Sequence, residues 1–122
     1  MAHTDQNRIH RAVSNDGTEI AGSVHGNGPP LVLFHGGVTD GEHAWSEILQ
    51  YLNERFTCYL PSMRGTGLSA DHPDQRPERH VEDLTSFIDS IGEPVGLFGH
   101  STGGTYSLGA VQLLAIHTTI HF

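Results

Sequence analysis

The chain contains no lysine, a single cysteine and no long apolar run. Its basic residues are six arginines, which 14 acidic residues outnumber to give a formal net charge of −8. A surface of that sign repels phosphate backbones, so we expect no nucleic-acid partner. No stretch approaches the roughly 18 apolar residues that cross a bilayer, and the N-terminus lacks the apolar core of a signal peptide. We therefore expect a cytoplasmic protein without membrane contact.

The single cysteine and the scattered histidines argue against a disulfide and against a metal site. Cys58 has no second cysteine to pair with, and its apolar surroundings predict a buried thiol. Ten histidines are spread along the chain without a ligand pattern. His117 and His121 are four residues apart, a spacing that suits a metal pair on a helix, but we find no third ligand. We expect no metal and no cofactor.

Glycine and proline divide the 122 residues into one domain with the element order β-β-β-α-β-α-β-α. Ser14-Asn15-Asp16-Gly17 between the first two strands predicts a hairpin turn. Neither Gly-rich turn gives GxGxxG, which argues against a dinucleotide-binding domain. The predicted strands are residues 8–13, 18–24, 31–34, 56–60 and 94–98, and the predicted helices cover residues 45–52, 78–91 and 102–116.

Apolar residues recur at helical spacing in the first two predicted helices. In the first, Trp45 and Leu52 belong to a stripe that should cover one face of the sheet, with Trp45 as a packing residue. In the second, Leu84 and Ile88 belong to the apolar stripe, and we assign Asp83 to the side that faces water. The short apolar run 31–34 is typical of a parallel strand that is buried on both faces.

The most informative segment is Gly99-His100-Ser101-Thr102-Gly103, which fits the pattern GxSxG between an apolar strand and a helix. A sharp strand-to-helix turn holds such a serine in a strained conformation and presents its hydroxyl above the sheet. Side chains two positions away on either side would collide, so glycine is needed there. The amides at the start of the helix point to the place where an oxyanion would develop.

A second element, His35-Gly36-Gly37, follows the predicted strand 31–34. With the serine turn and Arg64-Gly65-Thr66-Gly67-Leu68-Ser69, it makes the chain resemble the α/β-hydrolase family over nearly all of residues 18–116. The resemblance implies a mostly parallel sheet with an N-terminal hairpin and helices on both faces. It also implies an enzyme that cleaves small-molecule acyl substrates, carboxylic esters or amides, through an acyl-enzyme.

Carried over by position, the resemblance makes Ser101 the nucleophile and the backbone N–H groups of Gly37 and Thr102 the oxyanion hole. Gly99, His100 and Gly103 support the turn, and His35 supports the oxyanion loop. Ser62 stands where the family usually has aspartate, which changes the hydrogen bonding expected around Arg64. A serine nucleophile argues against the dehalogenase and epoxide hydrolase branches, for which the resemblance would imply an aspartate.

The family's catalytic acid and histidine come after the nucleophile, but only 21 residues follow Ser101 and none is acidic. We therefore expect one domain over residues 1–122 that is incomplete at its C-terminus and nearly inactive alone. Strand 94–98 should lack its next parallel neighbour, so we also expect self-association through an exposed sheet edge. The alternative is a catalytically silent hydrolase-fold protein that binds a small ligand or a partner chain.

Overall fold

The computed structural model of the protein describes residues 8–114 and 118–121. Within these residues six strands form one sheet, and four helices pack around it. The strands are β1 (Ile9–Val13), β2 (Glu19–His25), β3 (Pro30–Phe34), β4 (Thr57–Pro61), β5 (Val95–Gly99) and β6 (Thr118–His121). The helices are α1 (Gly41–Ala44), α2 (Leu49–Leu52), α3 (Pro77–Ile91) and α4 (Thr102–Leu114).

The sheet has the strand order β1-β2-β4-β3-β5-β6 and is mostly parallel. Strands β1 and β2 form the predicted antiparallel hairpin, and β2 also runs antiparallel to β4. The remaining neighbours are parallel, with β3 between β4 and β5. In the hairpin turn, the amide of Thr18 donates to Asp16 Oδ1 at 3.1 Å, and Gly17 has a φ of 91°. Both features suit the Asp-Gly signal in the sequence.

Alternate residues of β3 enter separate cores on the two faces of the sheet. Val32 and Phe34 pack with Leu84 of α3 in one core, while Leu31 and Leu33 pack with Trp45 in the other. Parallel strands buried on both faces read as continuous apolar runs for this reason. The predicted arrangement of helices on both faces is therefore confirmed. No helix in the described part of the chain has the length and apolarity needed to cross a bilayer.

The predicted helix over residues 45–52 is wrong, because only the one-turn α2 lies there and a second one-turn helix, α1, precedes it. The Asp40 carboxylate caps α1 by accepting from the His43 amide at 2.9 Å, so helical structure begins at Gly41 rather than at Trp45. Trp45 ends α1 with a non-helical φ of −111°. Its indole is nevertheless buried, at 5% exposure, in agreement with the predicted packing role.

Strand β5 has a parallel neighbour on both sides, which corrects the prediction of an exposed edge there. Residues 118–121 form β6, whose register pairs Val95 with Thr118 and Phe98 with His121. The edge of β5 on which the expected self-association depended is therefore covered, and self-association stays a prediction. His121 lies in this strand rather than on a helix, while His117 and the end of the predicted helix 102–116 lie outside the described residues.

Two polar residues behave differently from the sequence-based expectation. Asp83 is buried rather than facing water, because its carboxylate pairs with the buried Arg64. Ser62, in the place of the family's usual aspartate, is also buried, and its Oγ accepts the amide N–H of Gly41 at 3.0 Å. The loop after β4 is thus hydrogen-bonded to α1 without a carboxylate at that position. Cys58 is buried as predicted, and burial raises the pKa of its thiol to about 11.

Candidate active site

Ser101 lies at the junction of β5 and α4 with a φ of 59°, in the left-handed region that residues with a side chain rarely adopt. Hydrogen bonds fix this bend on both sides. The His100 amide donates to the Phe34 carbonyl at 3.1 Å, and the Ser101 carbonyl accepts from the Gly104 amide at 2.9 Å. The serine itself is exposed. The structure therefore places Ser101 on the strained strand-to-helix turn that the GxSxG pattern indicates.

The glycines on either side of Ser101 are required by close backbone contacts. A Cβ on Gly99 would lie 2.6 Å from Gly104 Cα, and one on Gly103 would lie 2.3 Å from the carbonyl oxygens of both Phe34 and His35. Distances this short are not tolerated between non-bonded atoms. The spacing of the pattern thus corresponds to a physical constraint, the close approach of α4 to the end of β3.

His35 supports the loop that faces the serine. Its ring is buried, with Nδ1 donating to the Gly36 carbonyl at 2.5 Å and Nε2 accepting from the Met63 amide at 2.9 Å. These two bonds define a neutral ring with both nitrogens occupied. Burial lowers the pKa of His35, which also favours the neutral form. His35 therefore holds the loop in position and has no free nitrogen for proton transfer.

The loop after β3 approaches Ser101 closely. A Cβ on Gly36 would lie 3.1 Å from Ser101 Cβ and 3.3 Å from the His100 carbonyl oxygen. Gly37 follows directly and is exposed in the same cleft, while Thr102 is the first residue of α4. The structure thus brings the Gly36-Gly37 loop and the start of α4 together at the serine. The amide at position 102 also lies at the positive end of a 13-residue helix.

Two openings meet at Ser101. The larger one, of about 490 Å³, runs between the loop after β3 and α1, and we call it the Ser101 cleft. The smaller one, of about 290 Å³, lies along α4 and is lined by Phe98 and the exposed Leu108. His100 and Ser101 line both openings.

A histidine and a carboxylate that the catalytic motifs do not reveal are paired at the rim of the Ser101 cleft. Nδ1 of His43 donates to Asp40 Oδ1 at 2.9 Å, and His43 lines the cleft. Although burial raises the pKa of Asp40, the hydrogen bonds from His43 outweigh it and lower the pKa overall. The signal that indicates this pair is the helix N-cap pattern, an aspartate three residues before the residue whose amide it accepts.

Among the described residues, His, Cys, Asp and Glu side chains form no group of three that could hold a metal ion.

A serine on a strained turn between a central parallel strand and a helix, faced by a glycine-rich loop, is the arrangement that defines α/β-hydrolase-fold proteins. A model of the alpha/beta hydrolase family matches residues 31–120. The chain belongs to this family.

Individual relatives agree with the assignment. Pimeloyl-(acyl-carrier protein) methyl ester esterase of Legionella pneumophila strain Paris is 35% identical over 83 residues, which cover 68% of this chain and 32% of that protein. The crystal structure of an alpha/beta hydrolase from Sphaerobacter thermophilus superposes with a TM-score of 0.78 at 32% identity, covering 91% of this chain and 44% of that one. The structure of a bottromycin epimerase in complex with bottromycin A2 superposes with a TM-score of 0.79 at 29% identity. The match covers 93% of this chain and 46% of that one.

The chain spans only part of the length of these proteins, from 24% to 38% of the curated relatives. The family match over residues 31–120 includes the loop after β3 and the serine turn.

Proposed function

We propose that the protein is a serine hydrolase that cleaves carboxylic esters or amides through an acyl-enzyme on Ser101. The observation that carries the proposal is the left-handed φ of 59° at this exposed serine. Strain of that kind costs of order 1–3 kcal/mol and persists where function requires it. Family membership and an esterase among the relatives support the same reaction class.

In the proposed step, the Ser101 oxygen forms a bond to the acyl carbon while the carbonyl electron pair moves onto the oxygen. The N–H groups of Gly37 and Thr102 stabilise the resulting oxyanion, an interaction worth about 3–4 kcal/mol per donor in other serine hydrolases. Expulsion of the alcohol or amine leaves the acyl-enzyme, which water then cleaves. A soluble epoxide hydrolase also appears among the relatives, but a serine at position 101 favours acyl transfer.

In this step a general base takes the serine proton and returns it to the departing alcohol or amine. His35 is excluded as that base because both of its ring nitrogens are hydrogen-bonded within the protein. The proposal therefore requires a base other than His35, and with it Ser101 becomes an activated nucleophile.

A fluorophosphonate probe tests the proposal, since it reacts covalently with activated serines. We expect labelling of the protein that is lost in Ser101→Ala and kept in Ser46→Ala, a matched control at an exposed serine that lines the same cleft. Equal labelling of the protein and Ser101→Ala would refute the proposal.

The second candidate is a hydrolase-fold protein that binds a ligand without hydrolysing it. The similarity to a bottromycin epimerase favours it, since that protein uses a related fold for a reaction other than hydrolysis. Complete absence of labelling, together with saturable binding of a small ligand in the Ser101 cleft, would favour this second function.

A further inference from the structure

The described lining of the Ser101 cleft carries one carboxylate and several neutral polar groups but no arginine. Glu47 and His43 line the cleft, and no arginine occurs among its described lining residues. Lysine is absent from the whole sequence. An anionic ligand would therefore meet a carboxylate and find no guanidinium or ammonium group to pair with.

The arginines are committed to other parts of the fold. Four of the six form ion pairs with carboxylates that do not line the cleft, so their charges are compensated elsewhere. These pairs are Arg11 with Glu19, Arg64 with Asp16 and Asp83, and both Arg76 and Arg79 with Asp74. Among the described residues that line the cleft, Glu47 therefore carries the one carboxylate, and no arginine offsets its charge.

His43 adds a hydrogen-bond acceptor to this rim. A carboxylate can only accept, so the bond to Asp40 fixes the proton of the neutral ring on Nδ1. Nε2 is then left with its lone pair, on a side chain that is 81% exposed. The polar groups that Glu47 and His43 present are therefore both suited to a ligand that donates hydrogen bonds.

The cleft also has apolar wall residues. Val38, Trp45 and Ile48 line it, and Val38 is exposed. Side chains of this type favour an aliphatic or aromatic stem, which gains about 25 cal/mol for each Å² of apolar surface removed from water.

We propose that the Ser101 cleft selects esters or amides whose apolar acyl chain carries an ammonium group or another hydrogen-bond donor, recognised by Glu47 and His43. The reaction class in this statement rests on the proposed function, whereas the ligand preference rests on the cleft alone. A carboxylate at the same position on the acyl chain is disfavoured.

Binding can be measured without turnover, because Trp45 is the single tryptophan of the chain and lines the cleft. Three esters of matched chain length serve as probes: ethyl 6-aminohexanoate, ethyl heptanoate and monoethyl pimelate, which end in an ammonium, a methyl and a carboxylate group. Titrations at about pH 8 follow Trp45 fluorescence in Ser101→Ala. We expect the ammonium ester to bind roughly three- to tenfold more tightly than the neutral one, and the carboxylate ester most weakly.

Glu47→Gln should remove the preference for the ammonium ester over the neutral one. Glu54→Gln, a matched change at an exposed glutamate outside the cleft lining, should retain it. Equal affinities for the ammonium and neutral esters, tighter binding of monoethyl pimelate, or an unchanged preference in Glu47→Gln would overturn the inference. So would the absence of any fluorescence response to the three esters.

The two proposals fail separately. If fluorophosphonate does not label Ser101 but the ammonium preference is present, the hydrolase assignment falls and the ligand preference stands. If Ser101 is labelled but the three esters bind equally well, the ligand preference falls and the hydrolase assignment stands.

Discussion

Arg64 and Asp83 form a bidentate ion pair in the interior of the protein. Nε and Nη2 of the arginine donate to the two carboxylate oxygens at 2.7 and 2.6 Å, and both side chains are at most 1% exposed. Nη1 of the same guanidinium donates to Asp16 Oδ2 at 2.9 Å and to the Asp74 carbonyl at 3.0 Å. The hydrogen bond with Asp83 is the main cause that raises the pKa of Arg64. One side chain thus joins the hairpin turn, the loop after β4 and α3.

Removal of the Asp83 charge should destabilise the protein strongly. In Asp83→Asn, a buried guanidinium loses its principal counter-charge, and we expect a loss of about 3 kcal/mol in the free energy of unfolding. Asp89→Asn changes an exposed aspartate on the same helix and should cost less than about 0.5 kcal/mol. Urea unfolding of both variants measures the difference. Similar stabilities would mean that the pair contributes little.

The burial of Asp83 also shows where prediction from the sequence stops. Helical periodicity assigns residues to the core by their apolarity, so it predicts that an aspartate beside the apolar stripe faces water. Its partner Arg64 is 19 residues away, and no local pattern links the two. The hairpin, β3 and the serine turn are predictable because Asp-Gly, an apolar run and GxSxG are local signals.

The contrast between local signals and contacts that are distant in the chain also explains the other features that the sequence did not predict. Strand β6 pairs with β5 through backbone hydrogen bonds between segments more than 20 residues apart, which its short Thr-Thr-Ile-His sequence does not specify. The pair of Asp40 and His43 belongs to a helix cap, which no catalytic motif describes. The glycine-rich loop and Ser101 lie close together because both follow parallel strands that are neighbours in the sheet.

The backbone at Ser101 should favour glycine over alanine. A left-handed φ costs a residue with a Cβ about 1–2 kcal/mol, so Ser101→Gly should be more stable than Ser101→Ala by about 1 kcal/mol. At Ser86, within α3, the order should reverse, with alanine more stable by about 1 kcal/mol. Thermal or urea unfolding of the four variants checks this. The same order at both positions would contradict the strained conformation of Ser101.

Replacement by alanine should destabilise the protein much more at Gly103 than at Gly37. Gly103→Ala places a Cβ 2.3 Å from two carbonyl oxygens, so α4 must move away from β3 and we expect a loss of about 2–3 kcal/mol. A Cβ on Gly37 meets no atom within 4 Å, and Gly37→Ala should change stability by less than about 0.5 kcal/mol. Equal unfolding midpoints for the two variants would argue against the close packing of α4 on β3.

Stability should fall as the pH drops below the ordinary range of histidine. Burial lowers the pKa of His10, His35 and His80 in the folded protein. Between each lowered value and about 6.5, the unfolded chain binds more protons than the folded one, so protonation favours unfolding. The contribution of these neutral rings is fully present above about pH 6.5 and is lost progressively below it.

His35→Gln separates this effect from other titrations. Glutamine retains a donor and an acceptor for the carbonyl of Gly36 and the amide of Met63, but it does not titrate. The free energy of unfolding, measured in urea from about pH 8 to 5, should therefore fall less steeply in the variant, by up to about 1.4 kcal/mol per pH unit. Hydrogen bonds from arginines lower the pKa values of Asp16 and Asp74. These two carboxylates lose their contribution to stability only below the ordinary aspartate value of about 3.8, so they do not affect the measurement between pH 8 and 5. Parallel curves for the two proteins would contradict a neutral, buried His35.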